Sequence, residues 1–170
     1  MNRRGISNVV ATIILIAVAI ALAVAVAVWV FGLAGSASKT ASLQVQAVGL
    51  TGVSSGSSAN LTLLISNPSS SGIGINGFTL GSLSCVFSSP VQVPAGTQGG
   101  QLTIVLTISN NAFTGVATTN GITGSGGITV SSGITASCSG SQTAAVGIQY
   151  SGYLTTVSGQ TYPFTVTASS

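Results

Sequence analysis

Residues 3–33 read RRGISNVVATIILIAVAIALAVAVAVWVFGL, and this stretch decides the architecture of the chain. Two arginines precede a glycine, and no ionisable side chain follows until Lys39. A helix over that run would reach roughly 50 Å, against about 30 Å of bilayer hydrocarbon. Alanine alternates with branched residues at 17–28, which is the period of a strand. Both alternating positions are apolar, however, and a lone strand leaves its backbone unsatisfied in lipid. The stretch therefore reads as one hydrophobic helix over about residues 6–38. Ser7 or Asn8 can cap its start, and Gly32 and Gly35 can end it.

On a helix, residues two apart are turned by about 200°, so the alternating alanines spread around the axis. Small and apolar residues on every side suit a helix packed by neighbours all round. A secretory signal has an apolar region of only roughly 7–15 residues before its cleavage site. The "GSA" at 35–37 imitates such a site, but cutting there would discard the whole helix. An uncleaved anchor, with Arg3 and Arg4 holding the N-terminus inside, explains the apolarity alone.

The order of "RRG" directly before "ISNVVATII" resembles the class III signal peptide of archaeal type IV pilins, the crenarchaeal adhesive type above all, and of the related archaellins. The resemblance covers about the first 35 residues. It implies that a prepilin peptidase cuts between Gly5 and Ile6, removing residues 1–5. Residues 6–38 would then serve first as a membrane anchor and afterwards as filament core, with 39–170 as the head domain. Val10 stands where bacterial pilins carry a glutamate, so the bacterial branch fits less well. The implied function is that of a major structural subunit of an extracellular adhesive pilus. Its implied partners are identical subunits in a helical filament, the prepilin peptidase and the assembly machinery, and the cytoplasmic membrane before assembly. An archaellin-type motility subunit and an uncleaved, membrane-anchored surface binding domain are the alternatives.

Composition weighs against other classes. The chain has three Lys and Arg residues and no Asp, Glu or His. General acid–base chemistry and metal sites draw on those missing groups, so no catalytic residue, cofactor or metal is expected. A serine paired with Lys39 is the one conceivable nucleophile, but a lone lysine beside such a segment reads as an interfacial charge. Three cations, two of them in the first four residues, make no nucleic-acid patch.

Beyond Lys39 the texture changes to Ser, Thr and Gly with short apolar alternations. Strands are expected at 42–50, 60–66, 77–83, 101–109, 127–134, 144–150 and 162–168, separated by turn-formers such as Asn67–Pro68, Gly72, Pro94–Ala95–Gly96 and Gly99–Gly100. About seven strands in some 130 residues point to two packed sheets. The expected fold is therefore α+β: one long N-terminal hydrophobic helix followed by an all-β, immunoglobulin-like sandwich. Its surface must be Ser, Thr, Gln and Asn, which does little to resist association.

Cys85 and Cys138 are either a disulfide or two buried thiols, and an exported domain favours the bridge. Asn60–Leu61–Thr62 is a candidate N-glycosylation site, whereas Pro68 excludes Asn67. The abundant Ser and Thr could carry O-linked sugar. "GITGSGGITVSSG" at 121–133 is too loose for a phosphate loop and reads as turns and small-residue strands. Tyr150, Tyr153, Tyr162 and Phe164 read as core of the last strands, with an adhesive surface as the alternative. Trp29 and Phe31 fit a membrane-interface belt or a seam between helix and head.

Overall fold

The structure, a computed structural model, describes the backbone of residues 3–38 and 42–170 and the side chains of 5–33 and 42–170. Lys39 and the side chains of Arg3 and Arg4 lie outside the described residues. The chain divides into two compact units, residues 1–40 and 41–170.

The first unit is a single helix, α1, Arg3–Ser38. It begins before Ile6, so neither Ser7 nor Asn8 is its cap. Arginine is a good helix former and Gly5 costs only about 1 kcal/mol relative to alanine, which is too little to stop a helix this long. Asn8 instead accepts, through its carbonyl, a hydrogen bond from Thr12 Oγ1 at 2.8 Å. Gly32 and Gly35 likewise lie inside the helix rather than ending it.

The second unit is two antiparallel sheets with one core between them. Its strands are β1 (Gln44–Thr51), β2 (Ser58–Ser66), β3 (Ile73–Leu80), β4 (Leu83–Val93), β5 (Gly100–Ser109), β6 (Ala112–Val116), β7 (Ile122–Ser125), β8 (Ala136–Ser139), β9 (Gln142–Thr143), β10 (Gln149–Thr156) and β11 (Thr161–Thr167). One sheet runs β1-β2-β5-β6-β9, with β7 also on β5, and the other runs β11-β10-β3-β4-β8. Read in immunoglobulin terms, β1, β2 and β5 stand as strands A, B and E, while β3, β10 and β11 stand as C, F and G. The segment β6–β9 is an excursion between E and F. The helix-plus-sandwich architecture expected from the sequence is the one observed.

Alternation places the core. Leu61, Leu63 and Ile65 of β2 and Leu102, Ile104 and Leu106 of β5 are wholly buried, and they meet Ile75, Phe78 and Leu80 of β3 and Leu154 of β10. Phe113 of β6 stacks edge-on against Tyr150 of β10, with ring centroids 5.7 Å apart. Burial of this kind supplies about 25 cal/mol per Å² of apolar area.

Turn chemistry fixes the register of two hairpins. Ser109 pairs with Ala112 across Asn110 and Asn111, whose φ values of 52° and 58° are those of a type I′ turn. Leu80 pairs with Leu83 across Gly81, at φ 58°, and Ser82. The expected strand at 77–83 runs across this hairpin and is corrected by it. The expected strand at 127–134 is loop, apart from a bridge between Thr129 and Gln92, and at 144–150 only Gln149 and Tyr150 are strand. The unexpected strand β4 contains Pro90. Between Val86 and Val91 it bulges away from β3, so the proline disrupts no ladder bond there.

Exposed sheet edges are usually guarded by charge, which this unit lacks. Pairing guards them instead. Leu50 bridges Ala168, and Ser169 N–H donates to the Leu50 carbonyl at 2.7 Å, tying β1 to the segment after β11. Beyond the reach of β8, Gln92 and Thr129 exchange two backbone hydrogen bonds along β4, at 2.9 and 3.0 Å.

Candidate assembly helix and processing junction

The strongest functional feature is α1 itself. Gly5–Leu33, 29 residues, is long and apolar enough to cross a membrane, and every one of these residues is exposed. At about 1.5 Å rise per residue the span is roughly 43 Å, longer than a bilayer's apolar core. A helix that is hydrophobic all round has no side suited to water. Alanines at 17, 19, 21, 23, 25 and 27 interrupt the bulk of Val, Ile and Leu around the whole circumference and would let neighbouring backbones come close.

Gly5 and Ile6, the expected processing junction, are consecutive exposed residues in the first two turns of α1. A methyl group added at Gly5 would meet no atom within 4 Å. Val10 follows on the same helix and is exposed. Near the other end Trp29 and Phe31 are 67% and 76% exposed.

The head places the remaining sequence candidates separately. Cys85 and Cys138 form a disulfide joining β4 to β8. Asn60 is exposed on β2, flanked by Thr51 of β1 and Val105 of β5, so its side chain lies on the outer face of a sheet interior. Of the four aromatic residues near the C-terminus, Tyr150 and Phe164 are buried, Tyr162 packs against the core, and Tyr153 alone is exposed, at 44%.

One residue excluded by the sequence reading proves structurally central. Asn67 is completely buried. Its Nδ2 donates to the carbonyls of Ser71 at 2.9 Å, Val93 at 3.1 Å and Pro94 at 3.2 Å, and its Oδ1 accepts from Ser69 N–H at 3.1 Å. Its own N–H donates to the Thr97 carbonyl at 2.8 Å. It fastens the β2–β3 connection to the β4–β5 connection. The Asn-Pro turn signal was visible in sequence, but the distant carbonyls were not.

No protein-family model matches the chain, and comparison with curated proteins finds no match.

Proposed function

We propose that this chain is the major structural subunit of an archaeal pilus-type filament, held in the cytoplasmic membrane by α1 and then polymerised through it into an extracellular, adhesive fibre. The observation that carries the reading is the 29-residue helix, charge-free and exposed on every side. A lone membrane anchor requires apolarity but neither the surplus length nor small residues around the entire axis. Association with copies of the same helix uses both. The Arg3–Arg4–Gly5 sequence before it supports processing at Gly5–Ile6, which would leave the helix on the mature subunit. The charge-poor sandwich supports a head that tolerates close neighbours.

The test is intact-mass measurement with N-terminal sequencing of protein sheared from the cell surface, alongside electron microscopy of the same material. Ile6 as first residue, in filaments, is the expected result. Met1 retained on membrane-bound, unassembled protein would sink the proposal in favour of a surface anchor.

A further inference from the structure

The head carries a depression of about 410 Å³ between the β6–β7 loop and the loop preceding β8. Its polar lining consists of Thr118, Thr119, Asn120, Thr123, Ser131 and Ser132. All six are exposed, and none of their side chains has a hydrogen-bond partner among the described residues. The apolar part of the lining is Ile122 and Ile134, both buried, with half-buried Val130.

Both walls are held by backbone hydrogen bonds. Ala117 N–H donates to the Val105 carbonyl at 2.9 Å, and Val105 N–H donates to the Gly121 carbonyl at 2.7 Å, which pins the first wall to β5. Gly121 permits the tight return, since a Cβ there would stand 1.9 Å from the Ala117 oxygen. Asn120 beside it sits at φ 51°, a left-handed conformation that asparagine tolerates better than most residues. The second wall is fixed by Ser88 N–H donating to the Thr135 carbonyl at 2.8 Å, and by Thr135 N–H donating to Ser88 Oγ at 3.0 Å. A preformed cleft loses little ordering entropy when it is filled. Its volume lies in the range of small-molecule sites, roughly 300–1,000 Å³.

We propose that this cleft binds a neutral saccharide unit. Five hydroxyls and one carboxamide offer donors and acceptors in both senses, which suits a polyol whose own hydroxyls do the same. Half-buried Val130, over the buried Ile122 and Ile134, offers a small apolar contact to the C–H face of a sugar ring. No residue lining the cleft carries charge, so a phosphorylated or acidic ligand would be desolvated without compensation. A site of this kind binds weakly alone. Repetition along a fibre would multiply its strength, a consequence that rests on the filament reading.

The experiment is an amide-resolved NMR titration of the full chain, unassembled in detergent micelles, with methyl α-mannoside, methyl β-glucoside and N,N′-diacetylchitobiose, and with N-acetylneuraminic acid as an anionic control. At least one neutral probe is expected to shift amides confined to residues 118–124 and 130–134, with a dissociation constant of about 1–10 mM. Thr119→Ala and Ser132→Ala, both at exposed positions, are each expected to weaken that binding by about fivefold while leaving the melting temperature unchanged. Absence of shifts with all three neutral probes, tighter binding of the acidic sugar, or binding indifferent to both substitutions would each overturn the proposal. Because the protein is unassembled, these outcomes do not depend on filament formation, and failure to polymerise leaves them readable.

Discussion

Cys85 and Cys138 face one another as a register pair across β4 and β8, with Cα atoms 4.0 Å apart and the sulfurs bonded. The bridge lies within one sheet and fastens β8, part of the β6–β9 excursion, to its neighbour β4. It spans 53 residues of sequence, and the chain-entropy model gives about 4 kcal/mol for a loop of that size. The double substitution Cys85→Ser/Cys138→Ser is therefore expected to lower the unfolding free energy by about 4 kcal/mol, read from denaturant melts. A loss below about 1 kcal/mol would mean that β8 is held without it.

Asn67 gives a sharper packing test. Asn67→Ala removes one donor group shared by three carbonyls and one acceptor, in a wholly buried setting. The expected cost is about 2–3 kcal/mol, with loss of amide protection in hydrogen exchange at Ser69, whose N–H loses its acceptor, and at Gly96, whose N–H donates to the Asn67 carbonyl. Asn67→Asp is expected to be at least as damaging near neutral pH, since it places a charge among carbonyl oxygens.

The chain contains no Asp, Glu or His. Stability changes with pH in proportion to the difference in protons bound by the unfolded and folded states. With no side chain that titrates between strong acid and neutrality, that difference is close to zero and the slope vanishes. The melting temperature is expected to change by less than about 3 °C between pH 2 and pH 7. A fall of many degrees on acidification would contradict this account.

Small residues around α1 make a prediction that separates assembly from anchoring. Ala21→Phe and Ala23→Phe keep the helix apolar but prevent close approach of a neighbouring backbone. Each is expected to abolish sheared filaments while the protein still fractionates with membranes. Unchanged filament yield in both would remove the packing role assigned to the alanines.

The division between sequence and tertiary structure is visible in particular residues. The apolar run after Arg4 was sufficient to place α1, because its length and uniformity leave no alternative that satisfies the backbone in a membrane. The β-rich texture after Lys39, and strands such as β2 and β5, followed from strict alternation of buried and exposed positions. Alternation is a local property, however, and says nothing of which strand lies beside which. The Cys85–Cys138 bridge favoured by the sequence is formed, but that β5 returns to β2 and that β10 lies between β3 and β11 were decided by how two apolar faces could close on one core. The role of Asn67 likewise arose only when carbonyls from two distant connections were brought to its amide. The cleft beside Asn120 belongs to the same class: the hydroxyls were plain in sequence, but their convergence required Thr118–Thr123 and Ser131–Ser132 to be pinned to opposite walls. Side-chain periodicity is written along the chain, whereas the partners of buried polar groups depend on contacts between residues far apart in it.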